Sequence, residues 1–240
     1  MMRPVPRWAV PAALAAALAV TFLVFYLDPA IDLDVAQALY RGDNKFVGQT
    51  PSGEIIHKIF YWVPTVVFVA NVALYAGKRF GLRLTWTPSG RGVIALALSF
   101  ALGPGLLVNT VLKDHSHRPR PYQTVNFGGD DAFRPFYTFD GGCVRNCSFV
   151  SGEGAASTWT VAPALLVPPA IRVAALGAAV AFAIGASGLR MAFGGHYLSD
   201  TIFAALFTLS VVWATWQIVK PISPGGGTAF SRTRHRRDRM

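Results

Sequence analysis

The stretch IRVAALGAAVAFAIGASGL, residues 171–189, decides the fold, because its only charged side chain is Arg172, at its start. A transmembrane helix needs about 20 predominantly apolar residues to cross the hydrocarbon core of a bilayer, and this run has that length. Five further runs share its character: Ala9–Leu27, Ile55–Ala76, Gly92–Leu112, Ser151–Val167 and Tyr197–Val219. The sequence therefore predicts an all-α, polytopic membrane protein folded as a six-transmembrane-helix bundle.

The composition of the chain agrees with a membrane protein. Of its 240 residues, 52% are apolar and only 14% are charged, whereas soluble domains carry about 25% charged residues. The formal net charge of +10 would suit a nucleic-acid-binding protein. Because the basic residues lie in the loops between apolar runs, we expect no nucleic-acid partner.

The first apolar run has two interpretations. The basic segment Met1–Arg7 before it is typical of a cleaved signal peptide, but the run continues through Phe22–Tyr26, beyond the usual signal core. A retained anchor is favoured. Residues 1–222 then form one six-span domain, and residues 223–240 form a basic cytoplasmic tail that we expect to be disordered. Ala30–Tyr40 alternates apolar and acidic residues and is either a short helix on the membrane surface or a connector.

The orientation follows from the basic residues. With six spans, both termini lie on one side of the membrane. That side holds Arg3, Arg7, Lys78, Arg79, Arg83, Arg91, Arg172, Lys220, Arg232, Arg234, Arg236, Arg237 and Arg239. Loops rich in lysine and arginine stay in the cytoplasm, so the sequence predicts cytoplasmic termini.

The two cysteines, Cys143 and Cys147, lie in the long outer loop Tyr122–Ser148. In an oxidising compartment we expect a disulfide between them, with free thiols as the alternative. Two cysteines without a suitably spaced histidine pair make a poor zinc site. The sequence therefore predicts no metal.

Three polar groups stand at the outer ends of the predicted spans: Lys113–Pro121, Ser151–Glu153 and Arg190–Asp200. They lie on one side of the membrane at similar depth, so a bundle can bring them together. Ionisable residues at such positions indicate function. Three of them, Lys113, Arg120 and Arg190, are cations that suit the oxygens of a tetrahedral anion.

The other members of these groups indicate how an anion would be held and attacked. The backbone N–H groups of Ser151 and Gly152 begin a helix, where unpaired donors and the helix dipole favour an anion. His196 and Asp200 are four residues apart and share a helix face. Asp200 can then hold one imidazole nitrogen while the other acts as a nucleophile or a general base.

The spacing Lys113-x6-Arg120-Pro121, Ser151-Gly152 and Arg190-x5-His196-x3-Asp200 resembles the type 2 phosphatidic acid phosphatase superfamily. The resemblance implies a reaction in two steps through a phosphohistidine, without metal or cofactor. His196 would be the nucleophile and Asp200 its orienting carboxylate. The phosphate-binding residues would be Lys113, Arg120, Arg190, Ser151 and Gly152.

The chain departs from the family pattern at three positions. Leu189 replaces the usual serine before Arg190, Val150 replaces a proline, and Glu153 replaces the histidine that protonates the leaving oxygen. One hypothesis makes Glu153 a protonated general acid, its pKa raised by partial burial and by the charge of the phosphate. The rival hypothesis pairs Glu153 with Lys113 or Arg120, while a nearby histidine, His115 or His117, supplies the proton.

The predicted activity is hydrolysis of a phosphomonoester or pyrophosphate of a membrane lipid, on the periplasmic face of a bacterial inner membrane. The candidate substrates are undecaprenyl pyrophosphate, phosphatidic acid, phosphatidylglycerophosphate and lipid A. Lipid-to-lipid phosphoryl transfer would use the same phosphohistidine and is an open alternative. The related vanadium haloperoxidases are soluble, so the spans argue against them. A non-enzymatic transporter would place charges deep in several spans, but apart from His57 and Lys58 the runs are nearly free of them.

Overall fold

The computed structural model describes residue 6 and residues 8–220. In chain order its main elements are α1 (Ala9–Leu27), α2 (Ala30–Ala38), β1 (Tyr40–Gly42), β2 (Lys45–Phe46), α3 (Pro51–Arg79), α4 (Gly90–His115), α5 (Gly152–Trp159), α6 (Val161–Leu166), α7 (Pro169–Ala192) and α8 (Leu198–Val219). In this part of the chain, five helices are long and apolar enough to cross a membrane: α1, α3, α4, α7 and α8. The predicted tail, residues 223–240, lies outside the described residues.

The fourth predicted span, Ser151–Val167, is not one long helix. It consists of α5 and α6, which meet at Thr160. The break has a local cause, because Pro163 has no N–H to donate to the carbonyl group one turn earlier. Trp159 is fully buried, and α5 packs against both α7 and α8 inside the bundle. The prediction of six spans is therefore not confirmed by helix length.

Helix α4 changes character along its length. It is α-helical over Gly90–Phe100 and π-helical over Ala101–Leu112, and it ends with the turn Lys113–His115. Pro104 interrupts the ordinary hydrogen-bond ladder, and Asn109 Nδ2 donates a hydrogen bond of 2.8 Å to the Pro104 carbonyl oxygen. Such π-helical segments are frequent at functional sites. Here the segment leads directly to Lys113.

The segment between α1 and α3 is more ordered than a simple connector. Helix α2 covers most of the predicted Ala30–Tyr40 segment and packs against α8, with Asp32 buried. A short antiparallel hairpin of β1 and β2 follows. Its Phe46 ring packs against Phe127, with 5.5 Å between the ring centroids.

The long loop between α4 and α5 folds back onto the end of the bundle. Phe136 from this loop packs against Phe149 and Phe203, with ring centroids 5.8 and 4.8 Å away. These rings belong to a buried cluster that also includes Val108 of α4 and Ala155 of α5. The cluster fixes the ends of α4, α5 and α8 next to one another.

Candidate active site

The three polar groups meet at one end of the bundle. The backbone N–H of Ser151, at the start of α5, donates to the Asp200 carbonyl oxygen of α8 over 3.1 Å. A side chain at Gly152 would bring its Cβ within 3.0 Å of Lys113 Nζ, at the end of α4. Glycine at this position therefore lets α5 begin directly beside the cation of another helix.

His196 lies in the tight turn between α7 and α8. Gly194 has a φ of +65°, a backbone conformation that glycine adopts readily and that makes this turn possible. A side chain at this position would in addition collide with the Phe46 ring. The His196 side chain is 2% exposed. Its Nδ1 is 2.8 Å from the Ser148 carbonyl oxygen and therefore carries the proton that it donates. In the described part of the chain, Nε2 makes no hydrogen bond, so it is the nitrogen free to react.

This geometry corrects the expected role of Asp200. Its Oδ2 is 3.7 Å from His196 Nδ1, too far for a hydrogen bond, although close enough for charge attraction. The hydrogen bond that fixes the imidazole goes instead to the Ser148 carbonyl oxygen. Asp200 acts one step away, because it accepts hydrogen bonds from the Ser148 hydroxyl and, over 2.9 Å, from the Tyr197 backbone N–H. It therefore fixes the residues on either side of the imidazole.

Burial lowers the pKa of His196 to about 3. The Asp200 carboxylate acts in the opposite direction, while the positive charges of Arg190 and Arg120 lower the pKa further. The imidazole is therefore neutral at physiological pH. A neutral imidazole with its Nε2 lone pair free is the form that can attack phosphorus.

Asp200 is itself held by Arg118, a residue that the sequence did not single out. The Arg118 side chain is fully buried, and its Nη1 bonds to Asp200 and its Nη2 to Asp32 of α2. The Arg118 Cζ lies 4.2 Å from the centroid of the Tyr197 ring. Ser199 completes the network with two hydrogen bonds to Asp32. A buried arginine needs such carboxylate partners, but the sequence does not show which carboxylates these are.

Two of the three expected phosphate-binding cations share one partner, Asn146, in the loop between the cysteines. Lys113 Nζ is 3.1 Å from Asn146 Oδ1, and Arg120 Nη2 is 3.0 Å from the same atom and 2.9 Å from the Asn146 carbonyl oxygen. Burial lowers the pKa of Arg120, and the nearby Arg190 adds to this effect. The positive charges of these side chains repel one another, and a bound anion would offset this repulsion.

The loop that carries Asn146 is closed by a disulfide. Cys143 and Cys147 are bonded in the structure, with their Cα atoms 5.7 Å apart. The Cys147 backbone N–H donates to the Lys113 carbonyl oxygen over 3.2 Å. The disulfide loop is thus attached to the end of α4 and lies over the cations.

Arg190, the third cation, contacts the residue that departs from the family pattern. Its Nε is 3.2 Å from Glu153 Oε1, an ion pair without hydrogen-bond alignment. Its Nη1 is 2.9 Å from His57 Nε2, and the same His57 nitrogen is 2.9 Å from Glu153 Oε2. A side chain at Gly195 would press on the Arg190 guanidinium, with its Cβ 2.7 Å from Nη2. The glycine leaves room for Arg190 beside the catalytic turn.

These contacts correct two expectations. Glu153 pairs with His57 and Arg190, and not with Lys113 or Arg120 as the rival hypothesis required. The Ser151 backbone N–H is occupied by Asp200, and the Ser151 hydroxyl oxygen caps α5 by accepting from Gly154 N over 3.1 Å. The Ser151 backbone N–H is therefore not free for an anion in this structure.

The two histidines of the Lys113–Pro121 group do not point to the same place. His115 is exposed, and its Nδ1 bonds to the Val111 carbonyl oxygen of its own helix over 2.7 Å. His117 Nδ1 bonds to the Cys143 carbonyl oxygen over 2.9 Å. Neither makes a contact with Glu153 in the described chain, whereas His57 does. His57 was visible in the sequence only as a polar residue near the end of a span.

Comparison with known proteins places this geometry in context. Residues 92–223 match the model of the PAP2 superfamily. A lipid A 4′-phosphatase of Rhizobium leguminosarum is 37% identical over 203 residues, which cover 78% of this chain and 87% of the relative. A lipid A 4′-phosphatase of Francisella tularensis subsp. novicida is 30% identical over 207 residues, covering 82% and 90%. The crystal structure of a transmembrane PAP2-type phosphatidylglycerolphosphate phosphatase from Bacillus subtilis has a similar fold, with a TM-score of 0.58, 17% identity and coverage of 88% of this chain and 96% of that one.

Proposed function

The chain belongs to the PAP2 superfamily and is a membrane-embedded lipid phosphatase, and we propose that it hydrolyses the 4′-phosphate of lipid A through a phosphohistidine on His196. The observation that carries the mechanism is the state of this imidazole. It is neutral, its Nδ1–H is fixed by Ser148, and its Nε2 is free, with Arg190 and Arg120 close enough for their charges to lower its pKa. The choice of lipid A rests on the names of the relatives.

In the first step, Nε2 of His196 attacks the phosphorus atom. Lys113, Arg120 and Arg190 hold the non-bridging oxygens and neutralise the charge of the transition state. As the P–N bond forms, the imidazole becomes positively charged. The nearby Asp200 carboxylate, 3.7 Å from Nδ1, stabilises this charge. The bond from phosphorus to the sugar oxygen breaks, and this oxygen needs a proton.

In the second step, water attacks the phosphohistidine and releases inorganic phosphate. The group that gave its proton to the leaving oxygen now accepts one from the water. Glu153 has the sequence position of the family's proton donor, directly after Ser151-Gly152. Among the titratable groups near the phosphate site, it is therefore the candidate for both transfers.

We also propose that the site faces the periplasm and that both termini lie in the cytoplasm. The site lies where α4 and α7 end and α8 begins. The basic residues Lys78 and Arg79 end α3, Arg172 lies in the first turn of α7, and Lys220 follows α8, so they belong to the opposite end of the bundle. Positively charged loops stay in the cytoplasm, which puts the site at the outer leaflet.

The test uses the purified protein and a panel of phosphorylated lipids: lipid A, phosphatidic acid, phosphatidylglycerophosphate and undecaprenyl pyrophosphate. We expect phosphate release from lipid A in the presence of a metal chelator, and a phosphoenzyme that is stable to alkali and labile to acid. His196→Gln should abolish both, while the exposed His115→Gln should leave both unchanged.

Three results would contradict parts of this proposal. Full activity of His196→Gln would discard the nucleophile. Loss of wild-type activity with chelator would indicate a metal mechanism. Consumption of lipid A without phosphate release, restored by an acceptor lipid, would indicate phosphoryl transfer instead of hydrolysis.

A further inference from the structure

The histidine of α3, His57, contacts the active site from 96 residues away along the chain. Its Nε2 is 3.0 Å from Glu153 Oε1 and 2.9 Å from Oε2, so it faces both oxygens of the carboxylate. The His57 and Glu153 side chains are each 22% exposed. The ring packs beside Phe193, with 5.2 Å between ring centroids. The pair is therefore half-enclosed, at the edge of the phosphate site.

Arg190 connects this pair to the phosphate site. It contacts Glu153 over 3.2 Å and His57 Nε2 over 2.9 Å. One imidazole nitrogen cannot both accept a hydrogen bond from Arg190 and donate one to Glu153. When a phosphate group takes Arg190 as its partner, Nε2 is left to Glu153 alone. Substrate binding thus favours a proton between His57 and Glu153.

Arg190 cannot supply this proton, because a guanidinium group is not deprotonated in proteins. Histidine is the residue type that ordinarily gives and accepts protons in the physiological pH range. Of the two groups that contact Glu153, the His57 imidazole is therefore the one that can supply a proton.

We propose that His57 is the positioning residue that supplies Glu153 with its proton, so that the His57–Glu153 pair protonates the leaving oxygen of the lipid. This inference rests on the proposed phosphohistidine mechanism. As the bond between phosphorus and the leaving oxygen breaks, its electron pair stays on oxygen. The proton of His57 Nε2 passes to the Glu153 carboxylate, and the carboxyl group so formed gives it to that oxygen. His57 is then left neutral and Glu153 ionised. In the second step the attacking water returns a proton to the pair.

The arrangement gives a chemical reason for the departure at residue 153. The family pattern has a histidine directly after Ser-Gly, and this chain has Glu153 there. The imidazole has not been lost from the site, because His57 of α3 brings one to the carboxylate from another helix. The rival donors, His115 and His117, bond to backbone carbonyl groups elsewhere.

The first experiment measures kcat against pH for lipid A with the wild type, His57→Gln and Glu153→Gln. The charged groups facing His57 are Glu153 of α5 and Arg190 of α7, with Glu54 and Lys58 close by on α3 itself. We expect an alkaline fall in the wild-type rate as the pair loses its proton. Both variants should lose roughly 100-fold in kcat and should lack this alkaline fall. His115→Gln is the matched control and should keep the wild-type profile.

The second experiment separates proton supply from placement of Arg190. The leaving group of 4-nitrophenyl phosphate needs no proton at neutral pH. The first step with this probe is measured as the burst of 4-nitrophenolate, because hydrolysis of the phosphohistidine is the same for both substrates. If His57 serves proton supply, His57→Gln should give this burst within a few-fold of the wild-type rate while failing on lipid A. An equal loss on both substrates, or a variant profile that keeps the alkaline fall, overturns the inference.

The two proposals fail in different ways. If His57→Gln is unimpaired while His196→Gln is inactive, the phosphohistidine stands and the role of His57 is wrong. If His196→Gln is fully active, the phosphohistidine mechanism itself is wrong. Should His57→Gln not fold, Glu153→Gln carries the pH profile with lipid A and the burst of 4-nitrophenolate, because both report the proton transfer of the first step.

Discussion

Nη2 of Arg118 lies 2.7 Å from Oδ2 of Asp32, although 86 residues separate them in the chain. Both side chains are almost completely buried. Through Nη1, Arg118 also bonds to Asp200. Asp200 in turn accepts hydrogen bonds from the Ser148 hydroxyl and the Tyr197 backbone N–H, which lie around His196. The short helix α2 therefore supports the catalytic turn, and it is more than a connection between spans.

The first prediction concerns this pair. Asp32→Asn removes the charge that balances Arg118 while nearly preserving shape, and breaking a buried ion pair costs about 3 kcal/mol or more. We expect a clear fall in the midpoint of thermal unfolding in detergent and a lower kcat. Asp34→Asn, on the exposed face of the same helix, is the control and should resemble the wild type. An Asp32→Asn variant with unchanged stability and kcat would show that the network is dispensable.

The second prediction concerns Asn146, which holds Lys113 and Arg120. It has a φ of +53°, so Asn146→Gly keeps the backbone conformation while removing Oδ1. The two cations lose a shared acceptor worth about 1 kcal/mol, so we expect KM for lipid A to rise roughly five-fold with a smaller change in kcat. Val144→Ala, an exposed change in the same disulfide loop, should leave KM unaltered. A lower KM in Asn146→Gly would mean that Asn146 competes with the phosphate.

The third prediction concerns the disulfide that closes this loop. Replacing Cys143 and Cys147 by serine releases a short loop, and the entropy of closing such a loop corresponds to about 2 kcal/mol. We expect the double variant to unfold at a lower temperature than the wild type, and its KM to rise because Asn146 is less well fixed. Treatment with dithiothreitol should reproduce both effects in the wild type and neither in the double variant. If dithiothreitol changed the wild type and the double variant equally, its effect would not come from the Cys143–Cys147 disulfide.

The fourth prediction follows from the low pKa of His196. An unfolded histidine binds a proton near pH 6.5, whereas burial lowers the pKa of folded His196 to about 3. The stabilising effect of the neutral ring is present above pH 6.5 and is lost as the pH falls toward 3, by up to about 1.4 kcal/mol for each pH unit. Between about pH 7 and pH 5 we expect the thermal midpoint of the wild type to fall more than that of His196→Gln. Parallel curves would mean that the folded and unfolded protein bind this proton equally well, so that burial does not lower the pKa of His196.

Much of the fold could be predicted, because the information is local. Each of the five long helices lies within a few residues of a predicted span, and α1 coincides with Ala9–Leu27. The exception, Ser151–Val167, is not confirmed as one long helix, because it is divided at Thr160, where Pro163 has no N–H to donate, although hydropathy alone treats the stretch as continuous. Hydropathy records the solvent that a segment prefers, but not where its hydrogen-bond ladder breaks.

The candidate site likewise has a part that the sequence predicts and a part that only the packing of the helices sets. The sequence by itself determined the cations Lys113, Arg120 and Arg190 and the His196–Asp200 pair, because fixed spacing at the helix ends places them on one side of the bundle. Only the tertiary structure decided that Ser148 holds His196, that Arg118 joins Asp32 to Asp200 and that His57 faces Glu153. These partners are 48 to 96 residues apart. Helical periodicity says nothing about such pairs, because the packing of helix against helix alone sets the distance between them.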